Sequence, residues 1–100
     1  MNVIITNDNN GLRASLEGRF DTVSASQCKD DFQPLIENAD KQIVIDCSKL
    51  DYISSSGLRV FLTIRKAVEA MGGKLIVEHI NDEIHNVFSI TGFLSLFDVR

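Results

Sequence analysis

Three consecutive serines followed by a glycine, Ser54 to Gly57, form the segment whose residue types most favour chemistry. A serine hydroxyl can cap a helix or accept a phosphoryl group, and capping needs only one serine. A phosphate at a helix start meets free backbone N–H groups and the positive end of the helix dipole. Gly57 in the first turn lowers helix propensity by up to about 1 kcal/mol, which indicates a close approach to the backbone there. The segment is therefore interpreted as either a plain cap or a phosphate site.

Arg59 favours the phosphate interpretation. It follows Ser55 by four residues, and residues at that spacing share one face of a helix. Helical side chains also lean toward the N-terminus, so we expect the Arg59 guanidinium to reach a phosphate on Ser55. From these local features alone, the cap and the phosphate site are equally well supported.

The other candidate residues have simpler interpretations. Asp21 or the threonine after it is placed to cap a helix. Cys28 and Cys47 lack a partner at the spacing of a zinc, haem or redox motif, so we expect two buried thiols. His79 and His85 have no nucleophile or ligand at a recognisable spacing, and we expect neither a metal site nor a catalytic histidine.

The serine segment lies between elements that must position it. Residues 43–45 form a continuous apolar run, typical of a buried strand. Residues 57–71 carry apolar side chains on one helical stripe, and a Gly-Gly pair ends that helix. Residues 74–77 form another buried strand, so the order predicts a right-handed crossover between parallel strands.

The flanking segments complete a small α/β domain. Apolar alternation on both sides of Asn10-Gly11 predicts an antiparallel hairpin. Residues 22–39 predict a helix kinked or broken near Pro34, and residues 82–90 predict another helix. We predict one domain over residues 1–100, with a mixed sheet of about four strands and three or more helices mainly on one face. Its expected core comprises Ile43, Val44, Ile45, Phe61, Ile64, Val68, Leu75, Ile76 and Val77, closed by Leu94, Leu96 and Phe97.

Composition narrows the classes of function. One hundred residues, 44% of them hydrophobic and 24% charged, suffice for one core without disulfide or metal support. The net charge of -4 disfavours nonspecific binding to nucleic acid or anionic membranes. The first residues do not resemble a secretory signal, and no apolar run approaches the roughly 20 residues of a membrane helix. We therefore expect a cytoplasmic domain that binds proteins or small molecules. We expect it to need no cofactor.

Several of these segments resemble the STAS domain of bacterial anti-sigma factor antagonists. Residues 52–58, Tyr-Ile-Ser-Ser-Ser-Gly-Leu, are similar to the central signature of that family. Residues 18–21, Gly-Arg-Phe-Asp, are similar to its Gly-x-x-Asp before the first helix, and the resemblance covers nearly the whole chain. Antagonists commonly have Asp where this chain has Ser54, which can cap the helix but supplies no charge. Ser54 and Ser56 are therefore secondary candidates for modification.

The resemblance implies a partner-switching protein with no catalytic residues. The unmodified domain, a monomer or weak dimer, is expected to bind an anti-sigma factor that is itself a serine kinase, and so to release a sigma factor. Phosphorylation of Ser55 is expected to abolish this binding, and a serine phosphatase to restore it. ATP and Mg²⁺ belong to the kinase, since this chain has no P-loop. The implied partner-binding residues around Ser55 are Asp21, Ser54, Ser56, Gly57 and Arg59.

Two other functions remain open. STAS-like domains also serve as regulatory subunits of lipid-transport ATPases or stress-signalling assemblies, without a phospho-switch. A copurified ATPase subunit would favour that function. A small hydrolase with Ser55 as nucleophile is disfavoured, because Gly-x-Ser-x-Gly is absent and neither histidine has an evident role as a base. Labelling by a serine-directed phosphonate would favour the hydrolase.

Overall fold

Five strands form one sheet in which the order along the chain is also the order in space. The computed structural model describes residues 1–100. The strands are β1 (Asn2–Asp8), β2 (Gly11–Phe20), β3 (Gln42–Ile53), β4 (Lys74–Glu78) and β5 (Asp98–Val99). The helices are α1 (Thr22–Gln27), α2 (Gln33–Glu37), α3 (Ser55–Met71), α4 (Asp82–Thr91) and α5 (Phe93–Leu96), with a 3-10 turn at Lys29–Phe32. None of these helices has the length and apolar character required to cross a membrane.

The sheet confirms the predicted mixed architecture. The pair β1 and β2 is an antiparallel hairpin, and β2, β3 and β4 run parallel. The sheet has five strands instead of about four, because β5 adds parallel to β4. The N–H of His79 donates to Arg100 O at 3.0 Å, and the N–H of Arg100 donates to Val77 O at 2.8 Å. Two residues are too few to show a strand periodicity, which is why the sequence did not indicate β5.

The segment between β2 and β3 is broken, but earlier than expected. The first helix ends at Cys28, and the 3-10 turn separates it from α2. Pro34 lies in the first turn of α2, where its missing N–H needs no intrahelical acceptor. The proline therefore begins a helix instead of kinking one.

Six phenylalanines connect the helices to the sheet. Phe61 on α3 lies at the centre of this cluster, with its ring centroid 6.2 Å from that of Phe20, 6.0 Å from Phe88 and 6.1 Å from Phe97. Phe32 stacks on Phe20 with centroids 5.7 Å apart. All six phenylalanines are buried, so the aromatic cluster joins the segments before and after the crossover into one core.

Most predicted core residues are buried, but not all on one side of the sheet. Val44 and Ile76 are paired in register, and both are less than 5% exposed, yet they are outside the helix-side cluster. Because side chains alternate along a strand, they lie on the opposite face, in register with Arg13. The Arg13 guanidinium lies 3.4 Å from a carboxylate oxygen of Asp46 and 2.9 Å from one of Glu78, spanning three strands on that face.

Two of the three residues predicted to close the core, Leu94 and Phe97, pack in or against it. Phe97 is buried, Leu94 is half-buried, and Leu96 is 42% exposed. Leu96 was wrongly expected in the core. Helix α5 is a single turn of four residues, and only one side of it, which includes Phe93, faces the core. Leu75 is half-buried, and the other predicted core residues on α3, β3 and β4 are buried.

Replacing Phe61 with Ala is expected to lower the free energy of unfolding by about 3 to 5 kcal/mol, because the variant loses a fully buried ring and leaves a cavity. Chemical denaturation of the variant and wild type measures this. The matched control is Lys66→Ala on the exposed side of α3, which should change stability by less than about 0.5 kcal/mol. A loss below about 1 kcal/mol for Phe61→Ala would contradict the assigned core.

Candidate functional site

The ends of β2 and β3 lie side by side and determine the geometry of the serine segment. Phe20 pairs in register with Ile53, and the N–H of Ser54 donates to Phe20 O at 2.8 Å. The residues that follow each strand, Asp21 and Ser54, therefore start α1 and α3 at the same edge of the sheet. The carboxyl ends of parallel strands are the edge where ligands and partners usually bind in α/β folds.

Each of these two residues caps the helix that it begins. The Asp21 carboxylate accepts a hydrogen bond from Ser24 N at 2.8 Å, and Ser54 Oγ accepts one from Gly57 N at 3.2 Å. The backbone hydrogen bond from Ser24 lowers the pKa of Asp21 below its ordinary value of 3.8. The stabilisation that this charge gives is therefore complete above pH 3.8 and is lost as the pH falls through the lowered pKa.

The three serines have different environments. Ser54 is half-buried and its hydroxyl is used in the cap. Ser56 is half-buried, and its Oγ lies 3.2 Å from Oγ1 of Thr22 on α1. Ser55 is exposed, and its hydroxyl has no hydrogen-bond partner within the chain. The backbone N–H groups of Ser55 and Ser56 lie in the first turn of α3, where a helix provides no acceptor.

The close approach expected at Gly57 is made by the chain's own core. A Cβ at this buried position would lie 2.9 Å from Ile53 Cγ1, 2.9 Å from Phe20 Cγ and 3.1 Å from Phe20 O. Glycine therefore allows the first turn of α3 to pack directly on the ends of β2 and β3. A contact of Gly57 with a partner remains a prediction.

Arg59 lies beside Ser56 along a groove between α3 and the α1 to α2 segment. Its side chain is exposed, and the groove also contains Thr22 and Lys29. The guanidinium has no ion pair within the chain, so it is free to meet an anion at the start of α3. Its contact with a phosphate on Ser55 remains a prediction.

The remaining candidates lie away from this edge. Both cysteines are free and buried, and burial raises the pKa of the Cys47 thiol to about 12. His79 and His85 line a separate depression beside Asp98. No three histidine, cysteine or acidic side chains are grouped to hold a metal ion.

The sequence did not indicate two residues of the site. Thr22 was considered only as a possible cap, and its contact with Ser56 joins positions 34 residues apart. Lys29 lies in the 3-10 turn, whose position depends on where α1 ends. Residues 28–33 show no helical periodicity, so the sequence does not predict the position of Lys29.

The chain matches the family model of the STAS domain over residues 3–100. It is 35% identical over 88 residues to BtrV of Bordetella bronchiseptica, a protein assigned to the anti-sigma factor antagonists, covering 88% of this chain and 76% of that one. It is 30% identical over 100 residues to the anti-sigma-B factor antagonist of Bacillus subtilis, covering 99% and 90%. The structure of the phosphorylated form of the Bacillus cell fate determinant SpoIIAA shares the fold, with a TM-score of 0.74 at 17% identity over 99% of this chain and 91% of that one.

Replacing Gly57 with Ala is expected to lower the free energy of unfolding by about 1 to 2 kcal/mol. The clash with Phe20 and Ile53 costs more than the gain of about 1 kcal/mol in helix propensity. Urea denaturation measures the loss, and Ser55→Ala in the same turn is the control, with a change under about 0.5 kcal/mol. A stabilised Gly57→Ala variant would contradict the tight packing at this position.

Proposed function

Because the chain belongs to the STAS domain family, we propose that it acts in the cytoplasm as an anti-sigma factor antagonist whose binding is switched off by phosphorylation of Ser55. The observation that carries the choice of residue is the environment of the three serines. Ser55 alone combines an exposed side chain with a hydroxyl that has no intramolecular partner. The names of the relatives from Bordetella and Bacillus support the choice of function.

The unmodified edge provides the binding surface. It comprises the first turn of α3, the capping carboxylate of Asp21 and the hydroxyl of Thr22, which the strand pairing holds together. Ser54 supplies no charge, and Asp21 supplies a carboxylate at the start of the neighbouring helix. The partner is an anti-sigma factor with serine kinase activity, which brings ATP and Mg²⁺, and a serine phosphatase reverses the modification.

A phosphate on Ser55 is compatible with the fold. The free N–H groups of the first turn and the positive end of the helix dipole favour about two added negative charges. At the interface the same group adds volume and charge that the partner must desolvate or repel. A penalty of about 3 kcal/mol would weaken binding more than 100-fold. The modification thus acts on binding and leaves the domain folded.

A hydrolase function finds no support at this edge. His79 and His85 line a depression between the end of β4 and the segment after α4, and Ser55 is not among the residues around it. The serine therefore has no imidazole base of the kind that activates a nucleophile. The regulatory names of the relatives agree with a binding protein.

Ser55→Ala is expected to bind the anti-sigma factor constitutively, and Ser55→Asp is expected to bind it at least about tenfold more weakly while staying folded. Calorimetric titration with the kinase that copurifies with the chain measures both affinities, and circular dichroism checks folding. Ser89→Asp, which adds the same charge on the exposed side of α4, is the control and should bind like wild type.

Incubation of the chain with this kinase and ATP should place phosphate on Ser55, as mapped by mass spectrometry. Equal affinities of the two Ser55 variants, or phosphate found only on Ser54 or Ser56, would overturn the assignment of Ser55.

Arg59→Ala is expected to leave the unmodified fold intact and to reduce the stability of the phosphorylated form, because the exposed guanidinium lies near the modified turn. Thermal melting of wild type and variant, each with and without phosphate, gives the phosphorylation-induced shift in Tm. A smaller or more negative shift in the variant supports a contact of Arg59 with the phosphate. Identical shifts would remove Arg59 from this role.

A further inference from the structure

The groove between α3 and the α1 to α2 segment has a volume of about 650 Å³ and combines an apolar floor with two cations. Phe32 and Ile64 form buried parts of its floor, and Ile36 and Val60 contribute half-buried side chains. Lys29 and Arg59 contribute the charge. The groove contains no aspartate or glutamate, although the chain as a whole has a net charge of -4.

The two cations have no partner within the molecule. Six of the ten basic side chains form an ion pair, a side-chain hydrogen bond or a contact with an aromatic ring: Arg13, Arg19, Lys41, Lys49, Arg65 and Arg100. Of the four that do not, Lys29 and Arg59 lie in this one groove. Two unpaired cations beside apolar side chains are complementary to a ligand that is both acidic and apolar.

We propose that this groove binds an acidic amphipathic helix of a protein partner. Apolar side chains of the helix would pack on Phe32, Ile36 and Val60, and carboxylates on its flanks would pair with Lys29 and Arg59. Thr22 and Ser56, which are hydrogen-bonded to each other, lie in the groove and make it continuous with the start of α3. That the helix belongs to the anti-sigma factor rests on the proposed function, whereas the chemistry of the groove does not.

A synthetic peptide tests the groove without the natural partner. The probe is a fluorescein-labelled amphipathic helix with leucines on one face and glutamates beside them, and the control peptide has glutamine in place of every glutamate. Fluorescence anisotropy should show that the glutamate peptide binds wild type, with an affinity that falls at high salt. The glutamine peptide should bind at least about fivefold more weakly.

Variants of the chain locate the binding. Lys29→Ala and Arg59→Ala should each weaken the glutamate peptide by about fivefold. Lys74→Ala removes a charge that also forms no ion pair, at the start of β4 and outside the groove, and should bind like wild type. Three outcomes would overturn the proposal: no binding of the peptide to wild type, equal affinity for both peptides, or an equal effect of Lys29→Ala and Lys74→Ala. Displacement of the peptide by inorganic phosphate or ATP would also overturn it, since the groove would then accept a small anion.

Titration with the anti-sigma factor separates this proposal from the phospho-switch. Lys29 lies outside the turn that carries Ser55, so Lys29→Ala tests the groove and Ser55→Asp tests the switch. Weaker binding of Lys29→Ala to the anti-sigma factor assigns the acidic helix to that protein. Unchanged binding of Lys29→Ala combined with weak binding of Ser55→Asp would overturn that assignment and leave the switch intact.

Discussion

The parallel pairing of β2 with β3 is the constraint on which the site depends. It continues past the last residue of each strand, to the hydrogen bond of 2.8 Å between Ser54 N and Phe20 O. The next residue of each chain segment is then fixed as a helix cap, so two helix starts are placed together. Gly57 completes this arrangement, because a side chain there would separate α3 from the strand ends. Position, exposure and available N–H groups at Ser55 all follow from this pairing.

The sequence predicted those parts of the fold that a local pattern encodes. The hairpin and the long helix each have a clear periodicity, the buried strands around residues 45 and 76 are continuous apolar runs, and all are present. Pairing between β2 and β3 has no such signature, because it joins residues more than 30 positions apart. The contact of Thr22 with Ser56 depends on that pairing and was therefore not predicted. The burial of Val44 and Ile76 on the second face agrees with the continuous apolar runs, which are typical of strands buried on both faces.

The site residues show the same division. The caps at Asp21 and Ser54 could be predicted, because residue type and position suffice for a cap. The distinction among the three serines could not, since it depends on which hydroxyl the neighbouring helix uses. Lys29 could not be linked to Arg59 either, because the break in the first helix at Cys28 determines where the lysine lies. The sequence thus predicted the roles that depend on one local segment, but not the contacts between separate segments.

The face of the sheet without helices carries a cluster of three charged side chains. Val44 and Ile76 lie there in register with Arg13, whose guanidinium is paired with Asp46 and Glu78 across three strands. A second molecule stacking over these strands would have to remove water from three charged groups, which costs free energy. The charges therefore oppose face-to-face stacking of two sheets. Under the proposed function, a partner binds instead at the carboxyl ends of β2 and β3, where α1 and α3 begin.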